Sequence, residues 1–282
     1  GRPRALDHYA PITAALGADE LPAFDALTER IAAHPTFAIR LIGPGGRDET
    51  AALPSSARRI AAQHIAEIFF YRQDILGYAL SRRREIRLYA SEAAFAADGG
   101  IAGGDYDPGR RCVQLQLGRL FEGFNGPGPG VAPFLHELGH LLDDLGAEDG
   151  RRAAGLLPGL SPGDGPIFTP EARALFAAGK RLELERFLEW QGARPRGPMP
   201  LGHPYVLQND GEFCAGYLEM FLRNPHAFAA ANPALYEGYM TLLRYDPRTA
   251  TPEDFPFYVT ENRRCYLAGE QRSWRAGITV PA

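Results

Sequence analysis

The pentapeptide His136-Glu137-Leu138-Gly139-His140 constrains this chain more than any other stretch. Two histidines four positions apart meet on one face only in a helix, whose 3.6-residue period stacks i over i+4. Both imidazoles then converge on one point, and Glu137 can reach a water held there. This is the spacing at which zinc acidifies a water and a carboxylate accepts the proton. The flanks agree. A glycine-proline run over 123–130 leads to Pro133, which suits a first helical turn, and Gly146 supplies a stop, so a helix is expected from 133 to about 145. Gly139 costs that helix about 1 kcal/mol relative to alanine. A small residue there predicts close approach of substrate or of a packed element.

Two histidines do not complete a catalytic zinc site, which takes three protein ligands and leaves one position for water. Glu212 is the expected third. It opens a helix that Asn209 or Asp210 would cap, and the helix carries Phe213, Tyr217, Leu218, Phe221 and Leu222. A carboxylate bordering that dry face needs a partner. Taken alone, such a glutamate would simply favour the helix dipole; the two upstream histidines change the reading. Asp143, seven residues after His136, is a candidate to orient a ligand or cap a loop. His203, in the His203-Pro204-Tyr205 loop, is a candidate substrate contact, with an exposed loop imidazole as the alternative.

The run from His136 to Asp144, followed by Tyr205, six intervening residues and Glu212-Phe213-Cys214-Ala215, resembles the catalytic domain of anthrax lethal factor. It is similar also to the Mlc titration factor A peptidases and the related Pro-Pro endopeptidases, zinc metallopeptidases whose third ligand is a glutamate. The similarity covers roughly residues 85–245 and is specific around two helices and the Tyr205 spacing. It implies one catalytic Zn2+ on His136, His140 and Glu212, with Glu137 as general base. Tyr205 would hydrogen-bond the developing oxyanion, which a phenol can do without changing its own charge. Two departures stand out. Gly216 occupies a position where lethal factor has a glutamate, and Glu219 matches the Mlc titration factor pattern instead, where it could support a ligand histidine. The interval from His140 to Tyr205 is also longer than in lethal factor.

The resemblance further implies peptide-bond hydrolysis, endopeptidase rather than exopeptidase, on a peptide or protein bound in extended form. That substrate would pair with an edge strand at Cys112–Leu117, making Gln114, Gln116, Gly139 and His203 the candidate substrate contacts. Two rivals remain: a zinc hydrolase acting on a non-peptide amide, and a non-catalytic zinc protein that binds a partner. Mlc titration factors, associated with a transcription regulator, make the second concrete. The retained Glu137 argues against it, since a structural zinc needs no base.

The expected fold is α+β and zincin-like, with a small mixed sheet, the motif helix and a helical C-terminal half. One domain is expected over 1–282: N-terminal elements over 1–55, then sheet, backing helix and motif helix over 56–145, then a helical part with the third ligand over 146–282. Helices are expected over 20–34, 56–83, 92–97 and 170–190 and from about 209, and strands over 37–42, 86–89 and 112–117. Residues 103–110 read as turn chemistry around Asp107-Pro108-Gly109, and 155–170 and 192–204 as loops. With 30 basic and 34 acidic side chains, the net charge of −4 leaves no footprint for nucleic acid or an anionic membrane. No apolar run has the length of a membrane span and no signal-peptide pattern opens the chain. Cys112, Cys214 and Cys265 form neither a disulfide framework nor a zinc knuckle. The compartment stays open between a cytoplasmic location and a secreted or delivered, toxin-like one.

Overall fold

A computed structural model describes residues 8–100, 103–122, 132–145, 170–192 and 194–280. The described residues combine eleven α-helices with one four-stranded mixed sheet. The strands are β1 (Phe37–Ile42), β2 (Arg84–Tyr89), β3 (Gly104–Asp107) and β4 (Cys112–Gln116). Their order is β1-β2-β4-β3; the first three are parallel, and β3 returns antiparallel to β4. On one face of the sheet Ile86, Leu88, Val113 and Leu115 join the main apolar core, which draws on residues from Ala10 to Ile278. On the other, Tyr89 packs with Ile42, Ala94 and Phe95.

Two expectations about the sheet are corrected. Cys112–Leu117 is not an edge strand: β4 lies inside the sheet, and β3 forms the edge. The Asp-Pro-Gly reversal is present, but Gly104–Asp107 before it is extended and pairs with β4 as a hairpin, with Arg111 at φ 51° in the turn. Nor is β4 half-buried. The helix α4 (Glu92–Ala97) lies against it, and Gln114 is buried with its side-chain oxygen accepting from the Tyr89 hydroxyl at 2.7 Å.

The other helices of this half are α1 (Glu20–Ala32), α2 (Ser55–Phe69), α3 (Gln73–Leu80) and the short α5 (Leu117–Phe121). The single long helix expected over 56–83 is therefore two. Its break falls at the buried Arg72, whose guanidinium grips the Asp74 carboxylate and the Leu242 carbonyl. Apolar periodicity runs through this break, so only the distant acceptor reveals it.

The motif helix is α6 (Pro133–Asp144), with Pro133 in its first turn as expected. The expected stop at Gly146, the glycine-proline run over 123–130 and most of the 155–170 loop lie outside the described residues. The C-terminal part is helical: α7 (Pro170–Gln191), α8 (Asp210–Arg223), α9 (Pro225–Ala231), α10 (Pro233–Leu243) and α11 (Pro256–Ala268). No helix among the described residues is long and apolar enough to cross a membrane.

The pairing of α6 with α8 builds the site. Gly139 is the contact point: a Cβ there would stand 2.5 Å from the Ala215 Cα. Its missing side chain thus admits a neighbouring helix, the second of the two roles expected for it. Gly216, the departure from lethal factor, has a similar basis, since a Cβ would meet Val206 at 2.3 Å. Close packing, against the Ala215 backbone at Gly139 and against the Val206 side chain at Gly216, explains both glycines.

Candidate metal centre

Helix α6 presents His136 and His140 on its partly exposed stripe and buries Phe134, Leu135, Leu138, Leu141 and Leu142. Helix α8 starts at an Asn209 cap whose side chain accepts from the Glu212 amide at 2.9 Å, and this sets Glu212 in the first turn. Across the α6–α8 contact, His136 Nε2 lies 2.9 Å from Glu212 Oε2. His140 Nε2 is 3.2 Å from His136 Nε2 and 3.5 Å from the same Glu212 oxygen.

These three separations can be tested against a metal. Zinc bonds of about 2.0–2.1 Å in a tetrahedron place ligand atoms about 3.3 Å apart. The observed distances bracket that value, and the donor set of two imidazoles and one carboxylate suits zinc. Among the described residues, this is the only group of three such side chains close enough to hold an ion. The second nitrogen of His136, Nδ1, lies 3.2 Å from Glu219 Oε1, which directs Nε2 toward the shared point. Among the described residues, no arginine or lysine joins the ion pairs of this cluster.

The charges reflect that lack. Burial pushes the Glu137 carboxyl up to about 8; His136 opposes this, while Asp105, Glu212 and Glu219 add to it. Glu137 is fitted beneath the edge strand, since a Cβ on Gly104 would stand 2.7 Å from its Oε1. Burial alone would lower His136, but the hydrogen bonds to Glu212 and Glu219 and the field of Glu137 carry it well above its ordinary value. Burial likewise would raise Glu212, yet its contacts with His136 and His140 hold it well below the carboxylate range. A cation at the shared point would answer several carboxylates together.

Tyr205 belongs to a 3-10 turn over Pro204–Leu207, whose capping residue His203 accepts from the Tyr205 amide at 3.1 Å. The Tyr205 hydroxyl donates to Glu212 Oε1 at 2.7 Å, and burial followed by that carboxylate raises its pKa, so the phenol stays a donor. Trp274 packs edge-on against Tyr205, with ring centroids 5.8 Å apart. Beside His136 and Tyr205 opens a cavity of about 470 Å³ with Val206, Met220, Phe257 and Trp274 among its lining.

The structure thus brings His136, Glu137, His140, Tyr205, Glu212 and Glu219 together, with His203 at the cavity wall. It does not bring Gln114 or Gln116 there. Both side chains belong to the sheet face opposite Leu115, which faces Glu137; Gln116 instead lines a depression with Glu92, Phe95 and Arg119. Asp143 lies in the electrostatic neighbourhood of Lys180, Cys214 and Tyr239, on the side of α6 that meets the buried core. Residues not anticipated from sequence are Gly104, Trp274 and Tyr258. Only their tertiary placement marks them; the strand alternation at Gly104–Asp107 was the one local signal, and glycine and Asp-Pro-Gly turn chemistry obscured it.

Compared with known proteins, the chain matches no protein-family model and no curated protein.

Proposed function

We propose that this protein is a zinc-dependent metallopeptidase, an endopeptidase with a zincin-like arrangement of sheet, HExxH helix and glutamate helix. The observation that carries this reading is the convergence of His136, His140 and Glu212 from two helices, at ligand spacing, beside a buried glutamate and a tyrosine hydroxyl. His136 Nε2, His140 Nε2 and Glu212 would hold the ion. When bound, zinc supplies Lewis-acid polarisation of the scissile carbonyl and lowers the pKa of a water toward about 7.

The side chains supply the remainder. Glu137 would accept a proton from the attacking water and pass it to the leaving amine, a role that its burial beneath β3 beside the ligand histidines suits. The Tyr205 hydroxyl leaves Glu212 Oε1 and donates to the oxyanion, where charge develops. The edge of β3 offers backbone groups to an extended peptide. The cavity beside Tyr205 takes a large apolar side chain next to the scissile bond.

Glu137→Gln tests the reading. Cleavage of a peptide library is expected to fall by about 10²–10⁴-fold, the span of general-base contributions, with one zinc retained per chain. Undiminished cleavage with zinc still bound would sink the mechanism.

A further inference from the structure

The mechanism above asks the Tyr205 hydroxyl to leave Glu212 and donate to an oxyanion. Something other than Glu212 must therefore hold the phenol while it changes partner. Tyr205 is 37% exposed and stands on a four-residue 3-10 turn, a form whose hydrogen bonds have poorer geometry than those of an α-helix. Support comes from the segment that follows α11. There the Trp274 ring stands at 89° to the Tyr205 ring, with centroids 5.8 Å apart. The same indole makes a second edge contact, at 6.1 Å, with His203, the residue that caps the turn.

The indole is anchored on its own account. The Trp274 amide donates to the Gln271 carbonyl at 3.1 Å, and the Trp274 carbonyl accepts from the Gln191 side chain, at the end of α7, at 2.6 Å. Three residues on, the Gly277 amide donates to the Leu207 carbonyl at 2.9 Å, and the Thr279 amide donates to Asp210 Oδ1 at 2.9 Å. Leu207 closes the Tyr205 turn, and Asp210 opens α8 two positions before Glu212. Lys180 of α7 bonds that same Asp210 oxygen. A Cβ on Gly277 would stand 2.1 Å from the Gln208 carbonyl oxygen, so only glycine lets the two backbones lie this close.

We infer that Trp274 is a positioning residue for Tyr205: its anchored indole fixes the plane of the phenol, and the segment from 274 to 279 ties the Tyr205 turn to the start of the Glu212 helix. The inference rests on the proposed peptidase reading and adds to it a residue that acts through the oxyanion donor. Aromatic rings favour this edge-on arrangement at centroid distances of about 4.5–7 Å. A ring held on one side by a wall that does not follow it leaves its hydroxyl a short arc, from Glu212 to the adjacent oxyanion. Without the wall, an exposed tyrosine on a short turn samples other orientations, and few of them aim the hydroxyl at the reacting atoms.

Trp274→Leu keeps apolar bulk and removes the aromatic edge, whereas Trp274→Phe keeps an edge. On a peptide substrate, Trp274→Leu is expected to lower kcat by about 10–100-fold at constant zinc content, the upper figure being the cost of about 1 Å of misplacement. Trp274→Phe should recover most of that loss. Placed on Tyr205→Phe, which has no hydroxyl to position, Trp274→Leu should lower kcat by about 2-fold at most, the scatter of independent sites. Equal losses in the two backgrounds overturn the inference. So does a change confined to KM, which would leave Trp274 as cavity lining alone. In metal-free protein with isotope-labelled tyrosine, relaxation of the Tyr205 ring signals, identified by their loss in Tyr205→Phe, is expected to show a less ordered ring in Trp274→Leu. Unchanged ring order overturns the inference even if the protein cleaves nothing. Absence of cleavage by zinc-loaded wild-type protein overturns the metallopeptidase reading instead.

Discussion

Two clusters of histidine and glutamate lie on helices among the described residues, and they differ in their charge and their exposure. In the first, His64 and Glu67 of α2 meet Arg223 of α8; all three are buried, and the guanidinium grips Glu67 through both terminal nitrogens. In the second, His136 and His140 meet Glu212 and Glu219 with no arginine or lysine of the described residues among their ion pairs, and the group remains partly open. The first cluster carries its own cation and is complete. The second gathers carboxylates around two imidazoles with no such cation among the described residues, an arrangement that would suit a cation from outside.

Substitution should separate the two clusters. Glu67→Ala leaves Arg223 buried and unpaired, so the fold is expected to lose about 3–5 kcal/mol, read by chemical denaturation, with zinc affinity little changed. Glu212→Ala should do the reverse: zinc affinity falls by more than about 100-fold, beyond the effect of an outer partner, while the metal-free protein still unfolds cooperatively. If both variants lose stability alike and neither loses zinc, the two clusters are equivalent and the metal reading fails.

Next in size, Tyr205→Phe removes a donor without disturbing the ligands. A drop in kcat of about 10²–10³-fold at constant zinc content is the expectation for an oxyanion donor; a change in KM alone would reassign Tyr205 to substrate binding. Gly139→Ala brings a methyl against the Ala215 backbone. About 1–3 kcal/mol of destabilisation is expected for such overpacking, and a neutral result would show that the α6–α8 contact is looser than 2.5 Å implies.

The smallest effect concerns pH. Burial holds the His64 imidazole below its ordinary 6.5, opposed by its hydrogen bond to Glu67 and reinforced by the Arg223 charge. A histidine depressed in the folded state binds its proton more readily when unfolded, so its share of stability is full above 6.5. That share falls away as pH drops through 6.5 toward the folded value. Glu67 acts in the same direction at lower pH. Burial would raise it, but Arg223 and His64 hold it below 4.5, so its share is lost as pH falls below 4.5 through the folded value. His64→Gln should therefore flatten stability against pH between about 7 and 5, by at most about 1.4 kcal/mol per pH unit. An unchanged slope would mean that His64 binds its proton equally in the folded and unfolded protein.

Much of the site was legible because its cause is local. The helical period stacks His136 over His140, and an Asn209 cap sets where α8 begins and hence where Glu212 stands. The Tyr205–Glu212 interval was legible only through resemblance, and here it corresponds to a direct hydrogen bond. The edge strand was not legible. Gly103, Gly104 and Asp107-Pro108-Gly109 signal turns, and the pairing that makes Gly104–Asp107 a strand comes from β4 across the hairpin. The break between α2 and α3 stayed hidden for the same kind of reason: a carbonyl at Leu242 captures Arg72.

By itself, then, the sequence determined a helix bearing two stacked histidines and a glutamate, and a second, capped helix with a carboxylate in its first turn. Period and capping depend on neighbours within a few residues, and these are written side by side in the chain. Only the tertiary structure decided that those helices meet at Gly139 and Ala215, that β3 rather than β4 is the edge, and that Glu219 stands behind His136. These depend on close approach and hydrogen-bond pairing between segments far apart in sequence. Whether such groups meet is settled by how the whole core packs, because a missing methyl at Gly139 has meaning only once another backbone fills its space.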